Sequence, residues 1–319
     1  MKQAHNRPNP KRLCRRTKHW LSLQGFDSLN PCSRRQRTGA PMKTRLFLLS
    51  LTLSLAGCFP WRAPERPHFF TNLEEALSRP EDATHLRLYE TGLTAYPAEL
   101  ARLPNLTHLG LRGNRFGELP PSLPELRGLV WLDLGECGLT ALSPAVGELD
   151  RLTVLYLNDN RLEKLPSAIG GLAALEYLNL DRNKLASLPE TLGTLESLKW
   201  LRLNGNALQL LPPELGRLRN LRRLYLSNNK LAELSQAVST MENLTDLSLS
   251  GNDLASLPEW VTELPALRRL DLDRNNLTAL PRSIGRLKEL VWLRLEQNKL
   301  PEEEKKRVKD LLPNCHIVF

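Results

Sequence analysis

Beyond residue 83 the apolar positions follow a period longer than that of any helix or strand. Leucine returns every 23 residues, at Leu106, Leu129, Leu152, Leu175, Leu198, Leu221, Leu244, Leu267 and Leu290, with Ala83 opening the series. The unit from Leu175 to Ser197 reads LEYLNLDRNKLASLPETLGTLES. Leucines at places 4 and 6 alternate with polar residues, which predicts a short strand buried on one face. Leu-Pro at places 14 and 15 fixes an extended backbone ahead of a helical turn. No unit can bury its leucines alone, so neighbours must stack into one continuous core. Length suggests about two domains; the period predicts one elongated domain.

Place 9 is Asn in eight of ten units: Asn114, Asn160, Asn183, Asn206, Asn229, Asn252, Asn275 and Asn298. An amide both donates and accepts, so a buried stack of them can satisfy turn backbone between coils. Thr91 and Cys137 stand at place 9 in the other two units, and Cys137 reads as a buried thiol of the same ladder. Place 15 departs from Pro at Ser143 and Ser235.

These residues resemble the leucine-rich repeat family, in its 23-residue L-P-x-x-I-G-x-L subtype. The resemblance covers 83–300, nine full units and a partial tenth. It implies an α/β horseshoe solenoid: a concave parallel sheet, a convex face of short helical or irregular turns, and a helical cap at each end. The N-terminal cap is expected at 71–82, with a Thr71/Glu74 capping box. The C-terminal cap is expected at 301–319. There Pro301 opens a helix, Val308, Leu311, Leu312 and Cys315 cover the end of the core, and His316 to Phe319 form a last strand.

Charge changes the picture of the first 57 residues. The whole chain carries +9, yet residues 1–41 hold ten basic residues against Asp27 alone, and 58–319 have a net charge of −2. Met42 is an ideal start, so translation is expected to begin there and leave residues 1–41 untranslated; the other reading of 1–41 is a basic, disordered leader without a core. From Met42 the chain reads MKTRLFLLSLTLSLAGC. Its apolar run is too short to span a bilayer and has the layout of a secretory signal over 42–57. Leu55-Ala56-Gly57-Cys58 resembles the lipobox of bacterial lipoproteins, which implies acylation of Cys58 and cleavage before it. Residues 58–70 would then be a tether to the envelope. Phe59 is not the Asp that the resemblance associates with inner-membrane retention, so the outer membrane is favoured.

The exposed strand places are 2, 3, 5, 7 and 8. Seven of the ten Trp and Tyr residues after Cys58 fall there: Tyr89, Trp131, Tyr156, Tyr177, Trp200, Tyr225 and Trp292. Large amphipathic aromatics dominate interface hot spots, so they predict a partner-binding band. Arg202, Arg223 and Arg269, within a basic cluster that includes Lys199, Arg222 and Arg268, could receive an acidic patch. Eleven basic and ten acidic residues share the face, a balance that argues against a nucleic-acid footprint. His85 and His108 occupy one place in adjacent units, without a third metal ligand. No catalytic motif, phosphate loop, cofactor signature or metal set stands out. The expected function is non-catalytic binding of a protein partner by a monomer whose only membrane contact is its lipid anchor. A cytoplasmic signalling scaffold and a glycan-binding module are the other readings.

Overall fold

A computed structural model describes residues 69–117 and 125–319. The chain divides into two units, Met1–Trp61 and Arg62–Phe319, and all described residues lie in the second. The expectations for the leader, the signal segment and Cys58 fall outside the described residues.

Twelve strands form one parallel sheet in sequential order among the described residues. They are β1 (Phe69–Phe70), β2 (His85–Arg87), β3 (His108–Gly110), β4 (Trp131–Asp133), β5 (Val154–Tyr156) and β6 (Tyr177–Asn179). The sheet continues with β7 (Trp200–Arg202), β8 (Arg223–Tyr225), β9 (Asp246–Ser248), β10 (Arg269–Asp271), β11 (Trp292–Arg294) and β12 (His316–Val318). The register between repeat strands is 23 residues, as in Tyr177↔Trp200 and Leu178↔Leu201. Each repeat strand, β2 to β11, spans places 3 to 5, and its central leucine is buried.

A fully described coil contributes seven apolar places to the core. In the fifth coil, Leu175, Leu178, Leu180, Leu185, Leu192 and Leu195 are fully buried and Leu188 nearly so. Opposite the strands, the first coil and the third to ninth coils close through a short 3₁₀ turn among the described residues. Pro189, at φ −70° and ψ 145°, precedes the turn Glu190–Thr194. Where Pro is replaced at place 15, Ser143 and Ser235 cap the turn instead, accepting the N–H of Ala145 and Ala237 at 3.3 Å. Glycine at place 19 lets the next coil approach. A Cβ on Gly193 would stand 2.1 Å from the Glu214 carbonyl oxygen.

The place-9 amides form a ladder of hydrogen bonds between coils. Asn160 Nδ2 donates to the Leu134 and Leu157 carbonyls at 2.8 and 2.9 Å, and its Oδ1 accepts the Cys137 and Leu139 N–H groups at 3.0 Å. Asn114, Asn183, Asn206, Asn229, Asn252, Asn275 and Asn298 repeat the scheme, each accepting a leucine N–H from the preceding coil. Cys137 is fully buried, its thiol donating to Leu111 O at 3.2 Å. Burial pushes that thiol up to about 11.

The caps differ from expectation in detail. Helix α1 (Leu73–Ser78) is capped by Asn72, whose Oδ1 accepts the Glu75 N–H at 3.1 Å, one residue beyond the expected Thr71/Glu74 box. Helix α2 (Glu302–Leu311) has Pro301 at its N-cap, not inside its first turn. Val308 and Leu312 close the core, and β12 pairs with β11. Leu311 does not join them: it is 38% exposed.

Candidate functional site

The unshifted register places residues 23 apart side by side, so the side chains at places 3 and 5 form rows along the face. Aromatic and imidazole rings make one continuous row over β1 to β7. Phe69 meets His85 edge-on at 4.8 Å between centroids, and His85 stacks on His108 at 4.0 Å and 13°. The row continues through Trp131 (6.3 Å), Tyr156 (5.7 Å), Tyr177 (5.0 Å) and Trp200 (5.7 Å). The Arg223 guanidinium lies over Trp200 at 4.1 Å and closes it.

This row is longer at one end than the Trp/Tyr band and shorter at the other. Phe69 lies ahead of the first repeat, so the period of 23 gave no signal for it, and only pairing of β1 with β2 sets it beside His85; the two histidines invite a metal reading, and their signal was a shared place 3. Tyr225 does not extend the band outward. It is only 5% exposed, with Arg202 over its ring at 5.2 Å. Tyr89, at place 7, lies over Gly110, and Trp292 packs apart from the row, edge-on to His316 at 4.2 Å.

Burial and neighbouring charge set the protonation of these rings. His108 falls to about 4 through desolvation, aided by His85 and Arg87; His85 is lowered by burial and Arg87. Thr107 donates its hydroxyl proton to Thr84 O at 3.0 Å. Its oxygen therefore accepts from His108 Nδ1 at 2.9 Å, which leaves Nε2 as the ring's acceptor. Desolvation raises the Tyr156 and Tyr177 phenols, so both stay neutral.

The basic cluster is held internally, because arginine at place 5 reaches the carboxylate at place 7 of the preceding coil. Arg202 meets Asp181 at 2.6 Å, and Arg294 meets Asp273 at 2.6 Å. Asp246 bridges Arg269 at 3.0 Å and Arg223 at 3.7 Å. Lys199 meets Glu176 at 2.6 Å, and Arg268 meets Glu289 at 3.5 Å. The expected open acid-binding patch at Arg202, Arg223 and Arg269 is thus a set of ion pairs. Among the described residues no three metal-ligating side chains converge, and no helix is long and apolar enough to cross a membrane.

A sheet of stacked three-residue strands backed by 3₁₀ turns defines a solenoid repeat protein. Family models agree: one for a leucine-rich repeat region matches 167–253, and two for leucine-rich repeats match 127–185 with 257–300, and 105–126. The chain belongs to the leucine-rich repeat family. Among solved structures it is similar to a TDR receptor, at 27% identity and TM-score 0.67 over 80% of this chain and 45% of that one. It is also similar to the plant peptide hormone receptor RGFR1 in complex with RGF2, at 27% identity and TM-score 0.63 over 78% and 41%. The functional domain of InlJ from Listeria monocytogenes, described as including a cysteine ladder, matches at 26% identity and TM-score 0.59 over 71% and 47%. The chain spans under half the length of each of these three. No curated protein matches it in sequence.

Proposed function

We propose that this chain is a non-catalytic binding protein of the 23-residue leucine-rich repeat subtype, displayed on the cell envelope through a lipid on Cys58, and that it captures a protein partner on its strand face. The ring row from Phe69 to Trp200 carries this reading. Ring contacts run unbroken across seven strands. Rigid amphipathic rings supply contact area at low conformational cost. The similar receptor RGFR1 was solved holding a peptide hormone, which supports protein or peptide binding as the use of such a surface. The arginines of the second half, already paired with carboxylates, would act as a rim that sets register and excludes mismatched charge.

Capture of partners from membranes of the source organism, with wild type and a W131A/Y177A/W200A variant, tests the face. Truncating one hot-spot aromatic costs about 2 kcal/mol, roughly 30-fold in affinity, so the triple variant should retain no partner while unfolding near the wild-type midpoint. Undiminished capture would refute the ring row. Metabolic labelling with a radioactive fatty acid tests the anchor. Label should appear on wild type and vanish with Cys58→Ala; an unlabelled wild-type chain would favour a cytoplasmic scaffold. Outer-membrane placement follows the same reading, through Phe59.

A further inference from the structure

Arginine at place 5 has a fixed destination in the later coils. Arg202 reaches Asp181 and Arg294 reaches Asp273, each at place 7 of the preceding coil and each at 2.6 Å. Arg87 is the third arginine at place 5, and it stands in the first coil. Its strand neighbour upstream is β1, paired through Phe69↔His85 and Phe70↔Leu86. Counted on from that pairing, the position that Asp181 fills for Arg202 falls to Leu73, the first residue of α1. The cap therefore places an apolar residue where a carboxylate stands in the other two cases.

Arg87 is left with an open guanidinium. It makes no ion pair and no hydrogen bond among the described residues, and none of its side-chain nitrogens is buried. Only its face is used, since the guanidinium carbon lies over the Phe69 ring at 4.5 Å. A guanidinium stacked on a ring keeps its N–H donors in its own plane, pointing past that ring. Phe69 is 44% exposed, and Arg87 and His85 are partly exposed, so this end of the ring row is open to solvent. The rings nearest the guanidinium are neutral at pH 7. Desolvation, with the Arg87 charge contributing, lowers His85 and His108, and burial pushes the Tyr89 phenol up to about 12.

We propose that Arg87 is the charged end of the ring row and receives an acidic side chain of the protein partner, the carboxylate meeting the guanidinium fork while an adjoining apolar residue of the partner lies on Phe69 and His85. This rests on protein binding by the strand face. A carboxylate has two coplanar oxygens that match two parallel N–H groups of the fork. A phosphate would ask for further donors or a second cation, and the neutral rings beside Arg87 supply no charge. The pair would stay hydrated at the edge of the face, so it adds selectivity more than raw affinity. Arg202, Arg223 and Arg269 are already paired with carboxylates. The one open guanidinium therefore sets the direction in which an acidic-then-apolar segment lies along the row.

The probe is the blocked dipeptide Ac-Asp-Phe-NH2, which carries one carboxylate, one ring and no terminal charge. Ac-Asn-Phe-NH2, Ac-Lys-Phe-NH2 and the monoanion methyl phenyl phosphate are its comparisons. The full chain, labelled with 15N at arginine and histidine, is titrated with each at low salt, where exposed ion pairs are least screened. Ac-Asp-Phe-NH2 should give saturable shifts at the Arg87 and His85 side chains and bind roughly tenfold more tightly than the Asn and Lys dipeptides. It should weaken about tenfold in R87Q, a variant that unfolds near the wild-type urea midpoint because Arg87 holds no ion pair or hydrogen bond to lose. Equal binding of the Asp and Asn dipeptides, or undiminished binding by R87Q, would overturn the seat. Tighter binding of methyl phenyl phosphate would overturn it in favour of a phosphate ligand. No saturable shift from any probe would overturn it as well. Partner capture by the W131A/Y177A/W200A variant is read independently, so a silent dipeptide with ring-dependent capture removes the Arg87 seat and not the binding face.

Discussion

The Asn ladder can be tested at a single rung. Asn160→Ala deletes an amide that serves two buried N–H groups, those of Cys137 and Leu139, and two buried carbonyls, those of Leu134 and Leu157. A buried polar group stranded without a partner costs about 1–3 kcal/mol. Four stranded groups would exceed that several-fold, but the space vacated by an amide admits a water that makes two to four hydrogen bonds. The expected net loss is about 3–5 kcal/mol, a large share of a typical stability of about 5–15 kcal/mol. Asn298, near the end of the ladder and only partly buried, accepts one N–H, from Leu277 at 3.1 Å. Its alanine variant should cost about 1–2 kcal/mol. Urea unfolding followed by circular dichroism measures both, provided each shows one transition with an unchanged slope. A loss below about 1 kcal/mol for N160A, or one no larger than that of N298A, would refute the ladder as a stabilising network.

Other expectations follow from the same geometry. Cys137 donates like the Asn it replaces but offers no amide oxygen to the Phe116 N–H, so C137N should raise stability by about 1 kcal/mol in the same urea assay. G193A should lower it by about 2–3 kcal/mol, because the Glu214 carbonyl must move away from a Cβ at 2.1 Å. His108 has a folded-state pKa of about 4, below its ordinary 6.5, so the unfolded chain binds more protons between those values. Stability should therefore fall as pH drops from about 6.5 towards 4, and the fall should be shallower in H108Q, read from urea midpoints at pH 7.5 and 5.0.

How much of this was legible in the sequence depended on the kind of signal. The coil, the ladder and the sheet are encoded in residue type at fixed places, and a leucine or asparagine recurring at a period of 23 has few other physical uses. The left-handed backbone at place 8 was not legible. Gly113, Gly205 and Gly251 hint at it, but Glu90, Glu136, Asp159, Arg182, Asn228, Arg274 and Gln297 hold φ between 53° and 59° at the same place. Closure of the coil overrides the intrinsic preference of these side chains. The basic cluster misled for a related reason. Charge counts show Arg202 near Arg223, whereas the geometry sends Arg202 back 21 residues to Asp181. Tyr225 failed with it, because the same arginine covers its ring.

The two halves of the face follow from one rule applied to different residues. With the register unshifted, whatever stands at place 3 meets its own kind in the next coil at about the 4.8 Å strand spacing. Rings at that spacing stack, so β1 to β4 and then β6 and β7 build the row. At β5, where place 3 is Val154, Tyr156 at place 5 carries it across. Like charges at that spacing would repel, and from β8 to β10 place 3 alternates Arg223, Asp246, Arg269. The aspartate between the two arginines turns repulsion into a shared ion pair. The row ends at Trp200 because Arg223 belongs to both halves, lying on the last ring while pairing with the first carboxylate. A change at place 3 therefore alters the surface at one coil and its two neighbours, and leaves the leucine core at places 4 and 6 untouched.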